Sequence, residues 1–291
     1  CNDNNNAIHP GAQEITCNGM DENCSNNIDD THGEINVHGQ CVAIANNSNQ
    51  SYFNIPNGTY FDHVPVGGSL QRTFTLTNTE PAPIVIYGIT STMSAFTISS
   101  ISFPYTLPLN QSVSFDVTFS PSTIGNYSGT IMVLNSDCDE ASFQFTVSGD
   151  AVNSSNLTPF QIHALIEGFY LGANTMNTVL LNQGKITCND ICDSVTVVLH
   201  DAVTLAATTS YRTVLKTNGV IDCRFVNLLS TNYYIELRHR NGLKSWSAAP
   251  VAVVAIEQVF AILANVDFDF GAIGFPKSFQ YVNPSLSVLN F

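Results

Sequence analysis

Residues 72–78 read Arg-Thr-Phe-Thr-Leu-Thr-Asn, residues 112–119 Ser-Val-Ser-Phe-Asp-Val-Thr-Phe, and residues 142–149 Ser-Phe-Gln-Phe-Thr-Val-Ser-Gly. In each run apolar and polar side chains alternate, which is the two-residue period of a strand with one face in a core. Related runs lie at 83–89, 95–99 and 129–135, and turn-forming residues at 78–83, 108–111 and 121–126 separate them. Six or seven short strands at this spacing, between Tyr52 and Ala151, describe an antiparallel two-sheet sandwich.

Beyond a polar linker at 153–158, a second set of strand-like runs follows at 160–170, 193–202, 211–217, 220–226 and 232–240. In the last of these, Tyr234, Glu236, Arg238 and Arg240 face one way and Tyr233, Ile235, Leu237 and His239 the other. This set reads as a second sandwich ending near Pro250. Residues 251–291 carry further strand-forming runs with no evident partners of their own. At the other end, residues 1–44 are rich in Asn, Asp, Gly and Cys, too polar to build a core without disulfides or metal. The expected organisation is therefore all-β: a stabilised segment at 1–44, sandwiches at 45–151 and 152–250, and a strand-forming tail at 251–291.

Composition agrees. The 291 residues are 44 % hydrophobic and only 11 % charged, with 9 Lys+Arg against 23 Asp+Glu and a formal net charge of −14. Polarity comes from Asn, Ser and Thr, which suit turns and strand surfaces. So few cations exclude a phosphate-neutralising nucleic-acid binder, and an acidic chain favours divalent cations as partners. Residues 248–275 are the most apolar long stretch, but Glu257, Gln258, Asp267 and Asp269 interrupt it, so no membrane span is expected. No Lys/Arg-led apolar segment opens the chain, which reads as a mature or fragmentary form.

The eight cysteines point to disulfides and an oxidising, extracellular setting. Candidates are Cys1, Cys17, Cys24 and Cys41, expected to pair among themselves, together with Cys188, Cys192 and Cys223; Cys138 is the eighth. Zinc is disfavoured because there is no CxxC pair and His9, His32 and His38 lack finger spacing.

The strongest local signal runs from Cys1-Asn-Asp3-Asn-Asn5 through Pro10-Gly11-Ala12-Gln-Glu14 to Cys17, then Asp21-Glu-Asn23-Cys24 and Ile28-Asp29-Asp30. Its second half has the alternating oxygen side chains of a calcium loop, although Ser25 stands where Asp is usual, Asn26 where Gly makes the turn, and His32 where a bidentate carboxylate belongs. The whole segment resembles the metal-binding repeat of secreted and surface bacterial proteins, akin to thrombospondin type 3 repeats. That resemblance implies Ca²⁺ bound through Asp3, Asn5, Glu14, Asp21, Asn23 and Asp29.

Residues 52–151 resemble the choice-of-anchor or abnormal-spindle-like immunoglobulin modules, through Tyr60-Phe61-Asp62, Arg72–Asn78, Phe115–Pro121, Gly125-Asn-Tyr127 and Thr146–Gly149. An extracellular scaffold without an active site is implied. Residues 157–250 resemble a module recurrent in large secreted proteins of Bacteroidota-type bacteria, through Ile166-Glu167-Gly168, Val195–Ala202, Lys216–Gly219 and Tyr233–Ala248. Such proteins are commonly exported by a type IX route and assembled into adhesins or extracellular structures. Asp193-Ser194-Val195 matches the O-glycosylation tripeptide of such proteins, which makes Ser194 a candidate.

His200, Asp201, His239 and Ser247 invite comparison with a hydrolytic triad, but no nucleophile turn such as GxSxG is present. Arg238 and Arg240 have Glu167, Glu236 and Asp201 as candidate partners, and the lone Trp246 reads as core, with carbohydrate binding as its alternative role. The function expected is therefore not enzymatic. It is that of an extracellular, cell-surface structural or adhesive protein, self-assembling into a filament or layer by strand addition and calcium-rigidified junctions. The alternative is a non-catalytic glycan- or protein-binding module of a larger adhesin or enzyme.

Overall fold

The computed structural model describes residues 5–15, 17–26, 32–49, 57–99, 101–229, 231–240, 244–252, 258–264 and 281–282. The chain forms two compact units, one made of residues 1–61, 68–122 and 126–149, the other of residues 62–67, 123–125 and 150–291.

The first unit is built on β1 (Ile35–Gly39), β2 (Val42–Ile44), β3 (Tyr60–Pro65), β4 (Leu70–Asn78), β5 (Ile84–Ser91), β6 (Phe96–Ser99), β7 (Tyr105–Leu107), β8 (Ser112–Phe119), β9 (Gly125–Asn135) and β10 (Ser142–Val152). They form two five-stranded sheets, β2-β1-β4-β8-β6 and β3-β10-β9-β5-β7. The alternation works as the sequence requires. Phe74 and Leu76 of β4 and Phe115, Val117 and Phe119 of β8 are buried, with Thr73, Thr75, Ser114 and Asp116 on the other face. The outward residues pair across the strands, Thr73 Oγ1 donating to Asp116 Oδ1 at 2.6 Å. Inside, Phe96 stacks on Phe119 at 4.7 Å between centroids, and Phe61 meets Phe96 edge-on at 5.3 Å. Such aromatic pairs add about 0.5–1.5 kcal/mol each beyond the area they bury.

Asn78 closes this core from one end. It is buried, its amide nitrogen donates to the carbonyls of Ala82 and Leu107, and its Oδ1 accepts the N–H groups of Glu34 and Glu80. Gly39 is required where β1 passes β4, because an added Cβ would lie 2.0 Å from the Asn57 carbonyl oxygen and 2.8 Å from Phe74. Residues 35–44 are thus strands of the sandwich, whereas the sequence reading places them in the Cys-rich segment. Ile35 and Val37 bury the inward face of a strand too short, and too interrupted by His38 and Gly39, to register as periodic.

The second unit comprises β11 (Leu157–Ile166), β12 (Tyr170–Gly172), β13 (Thr175–Met176), one helical turn α1 (Val179–Asn182), β14 (Ile191–Asp201), β15 (Ala207–Lys216), β16 (Val220–Val226), β17 (Asn232–His239), β18 (Ser245–Trp246), β19 (Val251–Ala252), β20 (Gln258–Ala264) and β21 (Tyr281–Val282). Two sheets, β16-β11-β20-β21 and β15-β14-β17-β18, carry the core, while β12 and β13 form a separate ribbon. Phe160, Ile162, Ile221 and Phe225 of the first sheet and Val197, Leu199, Tyr211 and Ile235 of the second are buried, and Tyr211 lies 5.5 Å from Phe225 between rings.

The tail is expected to lack partners of its own, but its described strands pair within the chain. β19 pairs antiparallel with β17, and β20 pairs parallel with β11 from Phe160↔Gln258 to Ile166↔Ala264. No helix among the described residues is long and apolar enough to cross a membrane.

Candidate metal-binding site

The oxygen-rich N-terminal segment has few large apolar side chains, and Ile15 and Met20 among them are exposed, so its described part is organised by side-chain oxygens accepting backbone N–H groups. Asn5 Oδ1 accepts from Ala7 at 3.0 Å, and Asn18 Oδ1 from Met20 at 2.8 Å. Asp21 uses both carboxylate oxygens, accepting from Ser25 and Asn26 at 3.0 Å each, and Asn23 Oδ1 also accepts from Ser25, at 2.8 Å. The 21–26 stretch is therefore a turn held by Asp21 and Asn23, with Cys24 and Asn26 at positive φ (60° and 73°). An Asn at that position tolerates the left-handed conformation for which Gly is usual.

Glu14 and Glu22 behave differently. They retain only 8 % and 2 % exposure. Glu22 Oε2 accepts the N–H of Ile15, the residue after Glu14, at 3.1 Å, and Glu14 Oε2 accepts the N–H of Asn23, the residue after Glu22, at 3.2 Å. Asn18 Nδ2 donates to Glu22 Oε1 at 2.6 Å, and the His9 N–H to the Glu22 carbonyl at 2.9 Å. Glu14 Oε1 is buried without any hydrogen-bond partner.

Of the six residues expected as ligands, Asp3 and Asp29 lie outside the described residues, as does Cys1. Asn5 is exposed and spends its oxygen on a local turn, Asp21 and Asn23 shape the 21–26 turn, and Glu14 is buried with an oxygen to spare. Glu22 was not among the expected ligands. The sequence signal that could have found it is the Asp21-Glu22-Asn23-Cys24 run, in a chain with no Lys or Arg before Arg72.

The segment is fixed to the sandwich covalently. Cys17 is bonded to Cys138, 121 residues away, so the expectation that the first four cysteines pair among themselves does not hold. Cys138 sits in the β9–β10 connection, where the neighbouring Asp137 accepts the Ile35 N–H at 2.8 Å and thereby also ties β1. Cys24, Cys41 and Cys188 are disulfide-bonded as well. Cys192 and Cys223, expected as disulfide candidates, are instead free thiols buried on β14 and β16. Burial pushes the Cys192 thiol up to about 12 and raises that of Cys223 as well, so both serve as small core hydrophobes.

Beside Cys138 lies a second group: donor atoms of His32, Glu34, Asp137 and Asp139 fall within 4.8 Å of one another. Burial, and then the charges of Asp137, Asp139 and Glu140, raise the Glu34 carboxyl above its ordinary range. Burial likewise raises Asp137 and Glu140.

In the second unit the histidines considered for hydrolysis are each engaged separately. His200 Nε2 lies 2.6 Å from Glu236 Oε2, and Arg238 clasps the same carboxylate with Nε at 2.7 Å and Nη2 at 2.9 Å. The Arg238 hydrogen bonds hold Glu236 down to about 2. His239 Nε2 lies 3.1 Å from Asp193 Oδ2, which also accepts from Arg240 at 2.9 Å, so Arg240 takes Asp193 rather than Glu167, Glu236 or Asp201. Ser247 Oγ accepts the Ile235 N–H and donates to the Ala249 carbonyl. Trp246 is half-buried and covers His200 at 4.1 Å between rings. These two carboxylate–His–Arg groups stitch β14 to β17, with no hydrogen bond among the described residues joining Ser247 to either histidine. Ser194 is half-buried mid-sheet, its N–H donated to Asp193 Oδ1 at 2.7 Å.

Comparison with known proteins bears on both parts of the first unit. No curated protein matches the chain. Among solved structures, a PapD-like domain of human CEP192 is similar at 18 % identity over 43 % of this chain and 87 % of that one, with a TM-score of 0.30. The VesB protease of Vibrio cholerae is 21 % identical over 32 % of this chain and 29 % of its own, with a TM-score of 0.27. The CsuC–CsuE chaperone–tip adhesin complex of Acinetobacter baumannii is 9 % identical over 64 % of this chain and 94 % of that one, with a TM-score of 0.23. Residues 1–30 match the Cu-binding MopE family, described as "Putative metal-binding motif", and residues 55–150 match the HYDIN/CFA65/VesB-like Ig-like domain. The chain thus carries a metal-binding motif followed by an Ig-like β-sandwich.

Proposed function

We propose that the protein is a non-catalytic extracellular structural or adhesive module, whose N-terminal segment holds Ca²⁺ and is clamped to its first sandwich. The observation that carries this reading is the Cys17–Cys138 bond, which fastens the metal-binding motif to a loop of the Ig-like domain. Disulfides persist in oxidising compartments, which supports an extracellular or cell-surface location.

The donor set favours a hard cation. Among the described residues of the motif the candidate donors are carboxylate and amide oxygens with one exposed imidazole, His9, whose Nδ1 lies 3.2 Å from the Pro10 carbonyl; the described cysteines are disulfide-bonded, and a buried carboxylate oxygen of Glu14 has no other partner. A donor set this rich in oxygen, with a single imidazole and no free thiol among the motif's described residues, suits Ca²⁺ better than copper, which prefers several imidazole or sulfur donors. When bound, Ca²⁺ would neutralise the segment's charge and stiffen its junction with the sandwich.

Assembly with other copies is part of the proposal. β20 adds to β11 as a separate parallel strand, and a neighbouring copy can supply the same seven residues by exchange. Electron microscopy of the purified chain in millimolar Ca²⁺, then in chelator, tests this. Filaments or layers that loosen on chelation support it, and dispersed monomers in both conditions overturn the assembly part.

A further inference from the structure

We infer that the cation in the N-terminal segment is seated by Glu14 and Glu22 as a pair, with Asp21 and Asn23 shaping the turn beside it rather than supplying the charge. This rests on the proposal that the segment binds Ca²⁺, and it reassigns the residues that do so.

Three observations converge. First, the carboxylates are reciprocally fastened. Each accepts the amide that follows the other, at 3.1 and 3.2 Å, which brings the 14–15 and 22–23 stretches side by side. Second, both are buried, at 8 % and 2 % exposure, in a stretch without a counter-ion. No Lys or Arg precedes Arg72, and no ion pair reaches either carboxylate among the described residues. Burying such groups costs several kcal/mol unless they are paired, fully hydrogen-bonded or bound to metal. Third, Glu14 Oε1 accepts nothing, although a carboxylate oxygen has two lone pairs to offer. The fastening sets the two carboxylates side by side, and a hard cation answers the other two observations, since it supplies the missing charge and takes up the orphaned oxygen.

Asp21 and Asn23 lack these features. Neither is buried to the same degree, and the oxygens named above close the 21–26 turn on itself, whereas those of Glu14 and Glu22 reach across to the opposite stretch. Removing the Asp21 charge while keeping one of its two acceptors should therefore cost the turn one hydrogen bond and the cation none of its ligands.

Calorimetric titration of the oxidised full chain with CaCl₂, after treatment with chelator, tests the assignment. The wild type is expected to bind. Glu14→Gln and Glu22→Gln keep the side-chain shape and should each weaken binding by about tenfold or more, the scale on which ligand charge tunes such sites. Asp21→Asn, which gives up one of the two acceptors that hold the turn, should weaken it by less than either Glu variant. Peptide mapping of the Cys17–Cys138 bond checks that each variant is folded. Side-chain carboxylate ¹³C shifts of the wild type provide a measurement independent of mutation, and Glu14 and Glu22 should move when Ca²⁺ is added. A wild type that binds no Ca²⁺ overturns the calcium reading and the pair with it. A wild type that binds, with Glu14→Gln and Glu22→Gln binding equally well or with stationary Glu14 and Glu22 resonances, overturns the pair alone.

Discussion

Cys17 and Cys138 are joined across 121 residues of sequence, so the polar N-terminal segment shares a covalent anchor with the β9–β10 loop. The segment has few apolar side chains with which to hold itself on the sandwich. Replacing both cysteines by Ser should lower unfolding free energy by about 2–4 kcal/mol, because closing so long a loop restricts the unfolded chain. Urea unfolding of the oxidised proteins measures the loss. An unchanged midpoint would show that the segment contributes nothing to the sandwich.

The Arg238–Glu236–His200 group should make the second unit sensitive to acid. The folded Glu236 carboxyl is held to about 2, below its ordinary 4.5. A group depressed in this way stabilises the fold fully above pH 4.5 and loses that contribution as pH falls toward 2. We expect about 2 kcal/mol at stake, allowing for the solvent exposure of Arg238. Glu236→Gln should flatten the stability profile between pH 4.5 and 2, which denaturant unfolding across that range will show.

Glu34 has the opposite sign. Burial and the carboxylates of Asp137, Asp139 and Glu140 raise its pKa, so the folded state holds the proton more tightly than the unfolded chain does. Its contribution is most favourable below the unfolded value near 4.5 and declines as pH rises through the raised one. In chelator, Glu34→Gln should therefore raise Tm at pH 7 and leave it unchanged at pH 3. Thermal scans at the two pH values decide, and a lower Tm at pH 7 would contradict the account.

Gly39→Ala tests the packing of the first sandwich. The new Cβ would meet the Asn57 carbonyl at 2.0 Å and Phe74 at 2.8 Å, and a backbone oxygen cannot swing aside as a side chain can. The expected loss is about 1–3 kcal/mol. A chemical denaturation midpoint equal to that of the wild type would show that β1 can move away from β4 without cost.

Much of this fold is legible in the sequence because its strands are long and one-sided. Phe74–Leu76, Phe115–Val117–Phe119 and Val195–Val197–Leu199 announce their inward faces, and the structure buries them. The pairing of β20 with β11 is different. It joins segments about a hundred residues apart in the chain, and strand pattern alone carries no register between them. Disulfide pairing is equally illegible, since eight cysteines allow 105 connectivities. Within the candidate site, alternating oxygens drew attention to Asp21 and Asn23. Only the folded chain shows that their oxygens serve the turn and that Glu22 is buried opposite Glu14.

Calcium-linked stability is the most direct test of the account. Thermal unfolding of the oxidised chain should be compared in excess chelator and in millimolar Ca²⁺. A cation that binds only the folded segment raises stability by about 2.7 kcal/mol at a hundredfold excess over its dissociation constant. The account predicts a Tm several degrees higher with Ca²⁺, returning to the lower value when chelator is restored. Superimposable curves in the two conditions would contradict it.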